Sequence, residues 1–139
     1  MAGETIRICR RETFNAAHRL YRKEWSDEKN YEVFGKCSHP NYHGHNYVIE
    51  VWLEGPIDPV TGYLMDLKEL KTIIQREVCD RFDHRNFNLD CEEFKDRIPT
   101  AENIAVVCWQ LIQPQLPDNL RLEVHIQETE KNKVSYSGG

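Results

Sequence analysis

Between Thr5 and His18 the chain is rich in isoleucine, threonine and phenylalanine. This composition predicts a β-strand with Phe14, Ala16 and His18 on one face, because strand side chains alternate. A second strand is expected over His43–Glu54, where His43, His45, Tyr47, Ile49, Val51 and Leu53 recur at every second position. Between them, Arg19 to Tyr42 is polar and charged around Asp27-Glu28-Lys29-Asn30, which predicts a long excursion with a short helix. Excursions of that length in small domains are often functional. After the turn-rich Gly55–Gly62 stretch the period changes. Leu67, Leu70, Ile74 and Val78 form a helical stripe that Asp66 opens as N-cap, with Glu69 three residues later. A second helix begins at Thr100, buries Ile104, Val107, Cys108 and Leu111, and stops at Pro114. Leu120, Leu122, Val124 and Ile126 then alternate with Arg121, Glu123 and His125, and a last strand over Lys133–Tyr136 follows a tight turn.

This order, ββααββ, predicts one α+β domain over residues 1–139, a four-stranded antiparallel sheet with two helices on one face. Such a sheet has two open edges that must be covered or paired, and pairing between copies of the chain is one solution.

Length and charge narrow the function. A domain of 139 residues buries about 68% of its unfolded surface, so it folds without staples, and a metal would more readily serve chemistry than stability. No apolar run approaches the roughly 20 residues of a membrane span. The N-terminal residues lack a secretory signal pattern. Eighteen basic against 23 acidic residues give a net charge of -5, which argues against a general nucleic-acid binder while leaving room for a local anion site. Five cysteines without paired spacing read as reduced thiols of a cytoplasmic protein.

The strongest chemical signal is His43-Gly44-His45. Two histidines one residue apart in a strand point the same way and suit a single zinc ion. His18, on the Phe14/Ala16 face, supplies a third imidazole if the two strands form a hairpin, giving the pattern of a catalytic zinc with an open position. The plain alternative is a pair of histidines packed at a sheet end. Cys37 sits in a polar loop beside Lys36, which would favour its thiolate. It reads equally as base, nucleophile or a fourth ligand closing a non-enzymatic zinc module of one cysteine and three histidines. Asp83-His84 reads as a helix-terminal histidine or as an acid–base pair. Glu128 shares the parity of Leu122, Val124 and Ile126, so a carboxylate faces the buried side and needs a partner. Arg19, Arg22, Lys23 and Lys36 form a basic group that reads as a phosphate site or as a solvated loop.

Phe14-Asn15-Ala16-Ala17-His18-Arg19-Leu20, Cys37 with His43-Gly44-His45-Asn46-Tyr47, Asp58-Pro59-Val60-Thr61-Gly62…Met65-Asp66-Leu67, Phe82-Asp83-His84-Arg85-Asn86, Pro99-Thr100-Ala101-Glu102-Asn103 and Gln127-Glu128-Thr129 occur in that order. Together, over nearly the whole chain, they resemble the 6-pyruvoyl-tetrahydropterin synthase family. The resemblance implies a T-fold (tunnelling fold) and a homohexamer made of two trimers. It implies Zn2+ on His18, His43 and His45, Cys37 as catalytic proton acceptor, and Asp83 and His84 as a relay donated by a neighbouring subunit. It also implies Glu128 as pterin anchor, with Glu102 and Thr100 at that pocket, and 7,8-dihydroneopterin triphosphate as substrate. The five residues between Cys37 and His43 match the pyruvoyl enzymes; bacterial 6-carboxy-tetrahydropterin synthases of queuosine synthesis usually have three. Thr100-Ala101-Glu102 resembles the bacterial form instead. His39 and Tyr42 stand where smaller or amide residues are expected. Relatives that cleave the side chain differently carry glutamate in place of the cysteine.

Overall fold

The structure is a computed structural model and describes residues 3–139; the first two residues of the expected domain span lie outside it. Strands β1 (Thr5–His18) and β2 (His43–Pro56) pair antiparallel over their full length, from Thr5 opposite Pro56 to His18 opposite His43. A slip of one residue would turn every apolar side chain of a strand to the solvent, so the alternating pattern fixes this register. The same register sets His18 beside His43 and places His45 opposite Ala16.

Three longer helices, and a single-turn helix at Phe87–Asp90, interleave with the strands among the described residues. In α1 (Asp27–Phe34) Ser26 caps by accepting from the Lys29 N–H, and Gly35 ends the helix at φ 60°. Buried Asn30 holds the preceding loop, accepting from the Arg22 N–H and donating to its carbonyl. Helix α2 (Leu67–Ile74) is capped by Asp66, which accepts from the Lys68 N–H. It continues through a wider π-turn at Gln75–Cys79 to Phe82. Leu70, Ile74 and Val78 are buried as expected, but Leu67 is 45% exposed, because it stands in the first turn before the helix settles on the sheet. Helix α3 (Ala101–Ile112) is capped by Thr100, whose hydroxyl accepts from the Asn103 N–H. Each such cap contributes about 1 kcal/mol. Pro114 falls in the 3-10 turn that ends it.

The sheet departs from the expected four antiparallel strands. It has five, in the order β3-β1-β2-β4-β5, and is mixed. Strand β3 (Arg85–Asn86) runs parallel to β1 at Ala16 and Ala17, while β4 (Arg121–Thr129) and β5 (Asn132–Tyr136) are antiparallel as expected. Two residues carry no periodic signal, so β3 is invisible to pattern reading. It is tied down by a local clasp: the Asp83 carboxylate accepts from the Asn15 N–H at 2.8 Å, and the His84 N–H donates to the Asn15 carbonyl at 2.5 Å.

The core lies between the inner sheet face and α2 and α3, with Ile49, Val51, Leu53, Val124 and Ile126 meeting Leu70, Ile74, Ile104 and Cys108. At the histidine end it becomes aromatic. Phe14 stacks on Tyr47 at 5.2 Å, and Phe82, Phe87 and Phe94 pack around them. This rigid floor supports His18, which is fully buried.

Candidate active site

The hairpin register brings His18, His43 and His45 together, with ring centroids 4.5, 5.0 and 5.0 Å apart. One nitrogen of each ring lies within 4.8 Å of one nitrogen of the others. The His18 tautomer follows from its surroundings. Its Nδ1 is 2.8 Å from the Pro99 carbonyl, which only accepts, so Nδ1 carries the proton and Nε2 presents a lone pair. That Nε2 and the Nε2 of His45 are buried without a hydrogen-bond partner. Burial, reinforced by the two neighbouring histidines, lowers the His18 pKa to about 4, so the ring is neutral at pH 7. Burial also lowers the pKa of His43. Three imidazoles with mutually close nitrogens, two of those nitrogens buried and unpartnered, and a carbonyl fixing the outer nitrogen of His18 are what a metal ion requires. The residues therefore fit a divalent metal. Gly44 is not forced by space, since an added Cβ would stand at an ordinary 3.6 Å from the Ala16 carbonyl.

Glu128 reaches this cluster. A register shift between Gln127 and Thr129 breaks the β4–β5 ladder, and its carboxylate lies 3.6 Å from His45 Nε2 and 3.9 Å from His18 Nε2. Burial raises its pKa, opposed by His45 and assisted by Glu102. The inward parity expected for Glu128 is the one it has, and Glu102, though on the exposed start of α3, is close enough to act on it.

Cys37 stands in the 3-10 turn Gly35–Ser38, where its carbonyl accepts from the Leu20 N–H at 2.8 Å. It lines a cavity of about 770 Å³ together with His43, His45, Arg19 and Lys36. Its sulfur is not among the mutually close ligand atoms, which are the three histidines alone among the described residues. The expected thiolate-favouring effect of Lys36 is absent. Burial raises the thiol pKa and Glu128 adds to it, while Lys36 is exposed and is not among the groups that act on the thiol.

Asp83 and His84 lie elsewhere, at the β3 edge of the sheet. His84 Nδ1 is 2.9 Å from Asp83 Oδ2, the ring is 83% exposed, and its backbone sits in the left-handed region at φ 60°. The backbone N–H of Asn15, followed by His84, holds the Asp83 carboxyl below its usual range. Among the described residues the pair makes no hydrogen bond or ion pair with the histidine cluster or Cys37, and neither residue lines the cavity. Thr100 serves as the α3 cap. The structure also divides the basic group: Arg19 and Lys36 line the cavity, whereas Arg22 and Lys23 line a separate depression of about 300 Å³. Tyr42, which the sequence marks as bulkier than expected at its position, has φ 65°. It is strained just before His43 and forms part of the cavity wall.

A cluster of three imidazoles, two of them lining a cavity with a thiol on its wall, is compatible with a metal site on an α+β scaffold. The family model for 6-pyruvoyl tetrahydropterin synthase matches residues 7–139. The chain is 44% identical over 131 residues to the 6-pyruvoyl tetrahydrobiopterin synthase of Homo sapiens, covering 94% of this chain and 90% of that one. It is 46% identical over 132 residues to that of Drosophila melanogaster, covering 94% and 79%. The solved structure of Caenorhabditis elegans 6-pyruvoyl tetrahydropterin synthase superposes with a TM-score of 0.93 at 40% identity, covering 100% of this chain and 99% of that one. The chain belongs to the 6-pyruvoyl tetrahydropterin synthase family.

Proposed function

We propose that this chain is a lyase that eliminates triphosphate from 7,8-dihydroneopterin triphosphate to give 6-pyruvoyl-tetrahydropterin in the cytoplasm. In this reading Zn2+ is held by His18, His43 and His45, and residues 1–139 act as one domain within a homohexamer. The observation that carries it is the clustering of three imidazoles, His18 buried behind His43 and His45, beside a cavity whose wall holds a cysteine outside the ligand set. Family membership over residues 7–139 supports the substrate and product. No helix among the described residues is long and apolar enough to cross a membrane.

Zn2+ bound there supplies Lewis-acid polarisation of the substrate's side-chain hydroxyls and a positive charge that favours the nearby thiolate. Cys37 takes a proton from the substrate side chain. Protons return to the pterin ring, so the ring is reduced while the side chain is oxidised, and no external reductant is consumed. Triphosphate departs by elimination. Glu128 accepts hydrogen bonds from the pterin amino and ring N–H groups, which gives its inward-facing carboxylate the partner it needs. Glu102 adds negative charge at that end. Thr100 holds the start of α3, and with it Glu102, in place. Asp83 steadies and polarises His84, the proton shuttle, which acts in the pocket of a neighbouring copy.

Incubating the zinc-loaded protein with 7,8-dihydroneopterin triphosphate and identifying the products by mass spectrometry tests the reading. Release of inorganic triphosphate with 6-pyruvoyl-tetrahydropterin is expected. Accumulation of 6-carboxy-tetrahydropterin instead would move the chain to the carboxy branch.

A further inference from the structure

Arg19 follows the buried ligand His18 in sequence and lines the same cavity as Cys37, His43 and His45. Its main chain is clamped on both sides by one side chain: the Arg19 N–H donates to Asn88 Oδ1 at 2.8 Å, and Asn88 Nδ2 donates to the Arg19 carbonyl at 2.9 Å. Asn88 is itself fixed, its N–H donating to Asn86 Oδ1 at 2.9 Å. The guanidinium is held as firmly. Its Nε donates to the Ser38 carbonyl at 2.7 Å, and its plane lies 3.8 Å from the Tyr21 ring centroid. These contacts use one edge and one face of the group. Among the described residues the two Nη nitrogens make no hydrogen bond, and no carboxylate stands within salt-bridge distance of Arg19. The same holds for Lys36 on the adjoining turn.

Arg7, Arg10, Arg22, Arg76 and Arg81 each pair with a carboxylate. Of the arginines that do not, Arg19 is the one, among the described residues, whose guanidinium is nonetheless held by a hydrogen bond. An arginine pre-ordered by backbone, carbonyl and ring, yet left without an anion, is built to receive one. A planar fork of donors matches phosphate oxygens in a bidentate way, and prior ordering lowers the entropy lost on binding. Asp27 is the acidic residue on the same cavity wall.

We propose that Arg19 is the anchor for the phosphate chain of the substrate, assisted by Lys36, and that Arg22 and Lys23 play no part. This deepens the proposed function and rests on it. It also explains how a chain of net charge -5 attracts a polyanion: the positive charge is local and pre-aimed. Because Arg19 also ties down the Ser38 carbonyl next to Cys37, a purely structural role is the competing account, and the test must separate the two.

Isothermal titration on zinc-loaded protein uses three probes: 7,8-dihydroneopterin triphosphate, phosphate-free 7,8-dihydroneopterin and inorganic triphosphate. Arg19→Gln is expected to weaken both phosphorylated probes by about tenfold to a hundredfold, with dihydroneopterin affinity and zinc per chain unchanged. Arg19→Lys, which keeps the charge and loses the fork, is expected to fall between wild type and Gln, and it decides the matter if Arg19→Gln does not fold. Arg22→Gln and Lys23→Gln are expected to bind all three probes as wild type does. Equal weakening of dihydroneopterin, or undiminished triphosphate binding in the Arg19 variants, overturns the assignment. Wild-type protein that binds inorganic triphosphate through Arg19 but ignores both pterins would overturn the proposed function and leave the anion site standing.

Discussion

His43→Ala is expected to strip the metal from the protein and take turnover with it. The three histidines differ in what else they do. His18 is fully buried and carries the hydrogen bond to Pro99, so its removal would leave a cavity and an unpaired carbonyl. His43 is only half-buried and makes no hydrogen bond to the core, so its loss reports on ligation with little damage to the fold. Disturbing a partner behind a metal ligand already costs about tenfold to a hundredfold in affinity, and deleting a ligand should exceed that. Zinc by elemental analysis is expected near one per chain in wild type and far below it in the variant. Thermal melts give a second readout: a ligand at 1,000 times its Kd stabilises by about 4 kcal/mol. Zinc should therefore raise the Tm of the metal-free wild type and leave that of His43→Ala where it was.

The second large effect concerns Asp83 and His84. They form a pre-set hydrogen-bonded pair at the sheet edge, and the exposed imidazole is held out by a left-handed backbone. That conformation costs a non-glycine residue on the order of 1 kcal/mol, which suggests a use for it. The pair does not enter the cavity of its own chain. If it completes the cavity of another copy, Cys37→Ala and His84→Ala should each be inactive alone and recover activity together. Co-expressed or mixed after unfolding, they should regain about a quarter of wild-type turnover, since one site in four draws an intact residue from each copy. A mixture as inactive as its components would mean that the dyad works within its own chain or takes no part in the chemistry.

Much of this arrangement can be read from the residues, and what cannot has physical reasons. The long antiparallel hairpin follows from period-two alternation, and its register alone aligns His18 with His43 and His45. Glu128 stands out because a carboxylate broke the apolar parity of β4. Strand β3 does not announce itself, because two residues have no period and the clasp that leads into it consists of single hydrogen bonds from Asn15 to Asp83 and from His84 to Asn15. The expected influence of Lys36 on Cys37 fails for a similar reason: adjacency in sequence does not fix where a long, exposed side chain carries its charge, and burial acts on the thiol instead. The basic group of the Arg19–Lys36 excursion looks uniform in sequence. Only the fold shows Arg19 ordered and unpaired on the cavity wall and Arg22 spent on Glu24.

The central claim is that Cys37 is a base beside an open tri-histidine site and not its fourth ligand. The direct test is zinc content and turnover measured on the same preparation of Cys37→Ala. Zinc is expected to stay at the wild-type level while turnover falls by roughly a thousandfold, the middle of the range for losing a positioned acid–base group. Zinc lost in step with the thiol would make Cys37 a ligand, close the site, and contradict the enzyme mechanism.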